Sequence, residues 1–252
     1  MAIHKTEAIV LKRRDYRETS YLLSLFTADF GKIFAQAKGA RRKVGKFGSN
    51  FLPITNNKIV FYENHSGGLH IISQADIIDH FSNIDTNIER FTCAAYFLEM
   101  VNATMPLAEK NAEVFSLVMK FLQFLDKGDT INNIAQIFEV KFLNLSGFKP
   151  RVHCCVSCGG HIIAQSKFSF VLGGLLCPQC YAMDRGACAV MRGTVATLNY
   201  IEKTDLEKIV NFRIGGAIRT ELKQLLRNFI DFHLGQQFKS IQFSKKMKVA
   251  YV

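Results

Sequence analysis

The sequence predicts an α+β multidomain chain. A five-stranded barrel occupies residues 1–80, and an all-helical domain follows over 81–252, interrupted by a zinc-ribbon segment at 153–188. Three observations carry this reading. The first 80 residues hold short β-prone runs separated by turn residues. From Ile84 the apolar period becomes helical. Two Cys-x-x-Cys pairs then break the helical pattern.

The strands come first. Glu7–Lys12 alternates around Ile9 and Leu11, and Ser20–Thr27 is apolar and β-prone. Ala28-Asp29-Phe30-Gly31 reads as a turn, with glycine free to take positive φ. Lys32–Ala37 alternates strictly, placing Ile33, Ala35 and Ala37 on one face and Phe34 and Gln36 on the other. Ile54–Tyr62 and Leu69–Ala75 flank a hairpin signal at His65-Ser66-Gly67-Gly68. Five short strands in so small a domain fit a closed or nearly closed barrel, because closure removes unpaired edges.

The helices follow. Asn87–Thr104 carries Phe91, Ala94, Ala95, Leu98 and Val101 at helical spacing and ends before Pro106. Ala112–Leu125 repeats the pattern and stops at Gly128. Thr130–Leu145 starts at an N-cap residue and runs to Gly147. These three read as a bundle. Beyond the cysteines, helical pattern resumes at Thr194–Glu202, Asp205–Phe212 and Ala217–Leu234.

Composition limits the function classes. The chain has 252 residues, of which 48% are hydrophobic and 21% charged, so it can bury substantial cores and is not a disordered polymer. No apolar run approaches a membrane span, and Met1–Arg14 lacks the apolar stretch of a secretory signal. A cytoplasmic protein is expected. The net charge of +11 favours a polyanionic partner, nucleic acid or an anionic membrane. The excess sits at the two ends of the chain around a neutral middle.

Seven cysteines in a cytoplasmic chain argue for metal rather than disulfides. Cys155-x-x-Cys158 and Cys177-x-x-Cys180 are separated by a stretch suited to a hairpin, with β-prone Phe168–Leu172 inside it. Each pair aims two thiolates at one point, and two pairs supply the four soft ligands of a closed, structural Zn2+ site. The βαβ context of a redox dithiol is missing. Cys154 is a register alternative that breaks the spacing. His153 and His161 read as solvated loop histidines, and Cys93 and Cys188 as small apolar residues.

The second signal is a basic run. Lys38, Arg41, Arg42, Lys43 and Lys46 fall in the segment KGARRKVGK, and no acidic residue occurs between Asp29 and Glu63. Lys12, Arg13, Arg14 and Arg17 form a second cluster after the first strand. Such a run is often only a solvated face. Here it connects strands of a barrel, where these folds hold single-stranded nucleic acid. Phe34, Phe47, Tyr16 and Tyr21 are near enough in sequence to offer stacking surfaces, and each residue of this kind is more often core than platform. No phosphate-binding loop, dinucleotide fingerprint, zincin motif or nucleophile elbow is present. No catalytic residue is assigned.

The ordered segments A-I-V-L-K at 8–12, R-D-Y-R-E-T-S at 14–20, L-F-T at 25–27, G-K at 31–32 and A-K-G-A-R-R at 37–42 resemble the RecO family of recombination mediators. The similarity continues through C-x-x-C-G at 155–159, F-S at 168–169, G-G-L-L-C-P-Q-C at 173–180, H-L-G at 233–235 and K-S-I-Q-F at 239–243. The resemblance implies an N-terminal OB-fold, a helical domain and an inserted zinc ribbon. It implies a nucleoid-associated DNA repair protein without ATPase activity that binds single- and double-stranded DNA and anneals complementary strands. It also implies partnership with RecR, assistance in loading RecA, and docking of the acidic, hydrophobic-ended tail of single-strand-binding protein (SSB). DNA contacts carry over to Lys38, Arg41 and Arg42, then to Lys12, Arg14 and Lys43. The tail site is expected along Ala217–Leu234, where Arg219, Lys223 and Arg227 flank apolar Leu222, Leu225, Leu226 and Phe229. The competing reading there is that the stripe is core. For the whole chain, an RNA-binding module and a zinc-stabilised enzyme with an unrecognised active site are the alternatives.

Overall fold

A computed structural model describes residues 2–41, 47, 50–64, 68–128, 133–162, 165–209, 212–236 and 238–247. The hairpin residues His65–Gly67, the helix start at Thr130 and the cations Arg42, Lys43 and Lys46 lie outside them. The chain forms two compact units. One holds the N-terminal half and takes back the segment from Phe238, and the other spans the residues between.

The first unit is built on a barrel of β1 (Ile3–Tyr16), β2 (Ser20–Thr27), β3 (Gly31–Ala37), β4 (Asn56–Tyr62) and β5 (His70–Asp79). It closes in the order β1-β2-β3-β5-β4, with β1 returning to β4 and β3 running parallel to β5. This five-stranded closed barrel is an OB-fold. β1 runs well beyond Glu7–Lys12 because its two halves serve different neighbours. Ile3–Ile9 pairs with β4, and Ala8–Tyr16 pairs with β2. The register shifts between Val10 and Lys12, so Val10 and Leu11 are both buried and the alternation is lost locally. β3 keeps its alternation. Ile33, Ala35 and Ala37 point into the barrel core with Ala8, Val10, Leu23, Leu25 and Ile59, while Phe34 is exposed. Phe47 belongs to that core, packed on Phe51 at 5.2 Å, so it offers no stacking surface.

Helices α1 (Ser82–Asp85), α2 (Ile88–Thr104) and α3 (Ala112–Lys127) belong to the same unit. The Asn87 side chain caps α2 by accepting from the Glu89 and Arg90 N–H groups, and Asn111 caps α3 by accepting from Val114 N–H. Gly128 ends α3 in the left-handed conformation. Phe115 of α3 lies 6.1 Å from Phe26 on β2. The end of α2 is tied to the barrel by two contacts. Ser24 Oγ donates to Asn102 Oδ1 at 2.7 Å, and buried Lys32 Nζ donates to the Asn102 carbonyl at 2.8 Å. Helix α8 (Lys239–Met247) packs on α2: Glu99 accepts from both the N–H and the hydroxyl of Ser240, and Phe238 meets Tyr96 edge-on at 5.6 Å.

Burial holds Lys32 below its ordinary value of 10.5. Just below that value the folded chain therefore binds fewer protons at this site than the unfolded chain, and stability rises with pH there. Lys32→Met should flatten its share of that slope in urea titrations run over the pH range just below the ordinary lysine value. An unchanged slope would show that the amine is solvated.

The second unit contains α4 (Ile134–Leu145), a three-stranded antiparallel sheet and three further helices. The sheet has the order β7-β6-β8, from β6 (Ser166–Ser169), β7 (Gly174–Leu176) and β8 (Cys188–Val190). Phe168, at the centre of β6, is fully buried and meets Phe229 of α7 (Gly216–Leu234) at 5.9 Å. Helix α5 covers Arg192–Lys203, and Lys141 of α4 donates to the carbonyls of Glu202 in its last turn and of its C-cap Thr204 at 3.0 and 2.7 Å. α6 is described over Leu206–Ile209; the expected helix Asp205–Phe212 continues into residues 210–211, which lie outside the described residues.

Candidate nucleic-acid interface and metal centre

The metal centre is built from two turns. Cys155 and Cys158 sit on a knuckle closed by Gly159 N–H donating to the Cys155 carbonyl and Cys155 N–H donating to the Gly160 carbonyl, both at 2.9 Å. Gly159 takes φ +72°, which a side chain would strain. Cys177 leaves β7, and a 3₁₀ turn at Pro178–Met183 brings Cys180 back, with its N–H donating to the Cys177 carbonyl. The two turns meet because Val156 N–H donates to the Leu175 carbonyl at 2.7 Å.

The four Sγ atoms all lie within 4.8 Å of one another. Cys158 and Cys177 Sγ are 3.8 Å apart. A tetrahedral zinc with 2.3 Å bonds requires edges of about 3.8 Å, so the cluster has the size of a metal cage. Burial raises the Cys155 thiol, but the Cys158, Cys177 and Ser157 backbone N–H groups outweigh it and hold it at about 6. Cys180 is pushed up to about 12: the Ser157 hydroxyl lowers it, and the neighbouring sulfurs of Cys177, Cys158 and Cys155 outweigh that effect. One thiolate forms readily and opposes the next, a set of donors that a cation would stabilise. Cys154 and His161 stand outside the cluster. His153 is neither a ligand nor a free loop residue, because its Nε2 meets Glu202 at 3.1 Å beside Lys149. Cys93 is fully buried, as a small apolar residue would be. Cys188 is exposed on β8, with Sγ donating to the Phe168 carbonyl, so the apolar reading fails for it.

The outer face of β1–β3 carries the predicted cations. Cross-strand pairing aligns Lys12, Ser24 and Phe34 in one row and Arg14, Leu22 and Gln36 in the next. Exposed Lys38 continues this face into the turn after β3, where it borders a shallow depression with Arg17, Ser20 and Gln36. Arg41 is also exposed. Its guanidinium is partly engaged, by Asp15 at 3.1 Å and by the Arg17 carbonyl at 3.2 Å. Lys12 is held below its ordinary value, first by burial and then by the cations Arg14 and Lys239. Lys239, at the start of α8, therefore joins the basic cluster from the far end of the chain. Neither Lys239 nor Asn102 lies in the basic clusters marked by the sequence, since only folding brings α8 and the end of α2 to this face.

On α7, Leu222, Leu225, Leu226 and Phe229 are buried, so this stripe is core. Arg219, Lys223 and Arg227 stand half-buried on its flank, and Arg227 pairs with Asp231 at 3.3 Å. No helix of the described residues is long and apolar enough to cross a membrane.

An OB-fold barrel with a basic outer face, followed by helices and a four-thiol ribbon, defines a multidomain OB-fold protein with a candidate metal centre. The chain belongs to the RecO family: residues 1–81 match the family model for the N-terminal part of recombination protein O, and residues 85–242 match the model for its C-terminal part. It is similar to the DNA repair protein RecO of Alkaliphilus metalliredigens, with 32% identity over 96% of this chain and 99% of the relative. It is also similar to the proteins of that name in Syntrophus aciditrophicus, with 29% identity over 96% of this chain and 95% of the relative, and Caldicellulosiruptor saccharolyticus, with 29% identity over 98% and 100%.

Proposed function

We propose that this protein is a non-enzymatic, DNA-binding recombination mediator of DNA repair. The observation that carries the reading is the outer face of β1–β3, where Lys12, Arg14 and Lys38 border an open, partly apolar surface. Cations there neutralise phosphates, and neutralisation lowers the repulsion between two strands brought together. Bases left accessible can then pair, which is strand annealing without nucleotide. The finer roles follow the family: binding of single- and double-stranded DNA, cooperation with RecR, and help in loading RecA onto SSB-coated strands. Arg219, Lys223 and Arg227 are the proposed contacts for the acidic SSB tail, supported by their recurrence along one flank of α7. The four-thiol centre holds Zn2+ as a structural ion in this reading, with no fifth group needed for chemistry.

An annealing assay with complementary oligonucleotides, without nucleotide and with or without SSB, tests the reading; no acceleration over the spontaneous rate overturns it. The interface has a sharper test. Arg14→Ala combined with Lys38→Ala should weaken DNA binding about equally across sequences. The slope of log affinity against log salt should shrink by roughly two units, one for each lost phosphate contact. An unchanged slope would make these two cations a solvated face.

A further inference from the structure

We propose that the cleft beside Phe34 receives a single unpaired base, which stacks on the Phe34 ring and distinguishes single strand from duplex; this rests on the nucleic-acid reading above. The cleft measures about 320 Å³ and is lined by Lys12, Arg14, Ser24, Phe34, Leu69 and Asn102, among others. Phe34 is 41% exposed, although it lies on a strand whose inward residues are fully packed. It is the only one of the four aromatic side chains near the basic clusters that keeps its ring uncovered. Phe47 is buried against Phe51, Tyr21 lies under the Arg13 guanidinium at 4.7 Å, and Tyr16 lies under that of Arg17 at 5.3 Å. An exposed phenyl ring in a cleft bordered by lysine and arginine fits a base, whose face is apolar and whose neighbours in the strand are anionic phosphates.

The wall of the cleft adds a polar contact. Asn102 Oδ1 is occupied by the Ser24 hydroxyl at 2.7 Å, and its carbonyl by Lys32. The Asn102 side-chain N–H₂ is therefore the group left to donate to the edge of a base. Lys12 stands one strand beyond Ser24 in the same cross-strand row, placed to meet the phosphate attached to that base. A duplex has its bases stacked and paired, and cannot offer a base face to Phe34 without breaking a pair. Duplex affinity at this face then depends on the cations alone.

The test uses the full chain and three probes of equal length: a thymidine oligonucleotide, the same strand with abasic sites throughout, and a duplex. Phe34→Ala should weaken thymidine-strand binding by roughly 5- to 150-fold, as expected for one lost stacking contact, and leave duplex binding unchanged. Parent and Phe34→Ala should bind the abasic strand equally. The chain contains no tryptophan, so Phe34→Trp gives a single reporter. Its fluorescence should be quenched by the thymidine strand and not by the abasic strand. Equal losses on strand and duplex, or no loss on the strand, would overturn the stacking role while leaving phosphate binding in place. A parent that binds none of the probes would overturn the nucleic-acid reading itself.

Discussion

Replacing Cys155 or Cys177 with serine is expected to abolish the metal binding proposed for the four-thiol cluster and to destabilise the second unit by upwards of about 3 kcal/mol. The reason is geometric. The ribbon sheet has strands of four, three and three residues, too little structure to hold the two knuckles together alone. The four Sγ atoms within 4.8 Å of one another place like-charged thiolates side by side once they ionise. A divalent ion converts that repulsion into four bonds, so local folding and metal binding become one event. Cys154→Ser changes a neighbouring sulfur outside the cluster and should keep full metal content. Elemental analysis of freshly purified protein, paired with thermal unfolding, separates these cases. Equal metal content and equal stability in Cys155→Ser, Cys154→Ser and parent would remove the ribbon site from the account.

Gly31→Ala should be the most damaging single methyl in the barrel. Gly31 adopts φ +63° at the turn into β3, and a Cβ there would lie 1.9 Å from the Glu109 carbonyl oxygen. That contact is backbone against backbone, so no side-chain rotation relieves it. The neighbouring Ala108 N–H donates to the Lys32 carbonyl at 2.9 Å, so the α2–α3 connection would have to lift away from β3. A loss of at least about 2 kcal/mol is expected, the sum of left-handed strain and displaced packing. Gly39 provides the control. It has φ +72° with nothing within 4 Å of an added Cβ, so Gly39→Ala should cost only the backbone term, about 1 kcal/mol. Equal urea midpoints for the two variants would mean that the Glu109 backbone yields freely.

The local features were legible because local chemistry decides them. Asn87 and Asn111 cap helices through their own next turn, and Gly128 ends one by taking positive φ. The alternation of Lys32–Ala37 is the alternation of its burial. The Cys-x-x-Cys pairs contain their own convergence, since each is a tight turn with both sulfurs on one side. Where a feature depended on distant partners, the pattern blurred. The bulge after Val10 erased the period within β1, and Phe47 has the composition of a stacking residue but the position of a core one.

Periodicity, turn residues and charge are properties of neighbours in the chain, so the barrel strands, the long helices, the ribbon spacing and the basic run were legible in it, whereas the short α1 and the C-terminal α8 were not. Which side chains share a surface is set by folding. Asn102 and Ser24 meet across 78 positions, and Ser240 meets Glu99 across 141. The same closure of β1 on β4 and β3 on β5 brings Lys12, Phe34 and Leu69 to one cleft. Such contacts follow from burying the apolar faces of whole elements against one another. The barrel core takes up Phe47, and Phe34 keeps its ring open among cations.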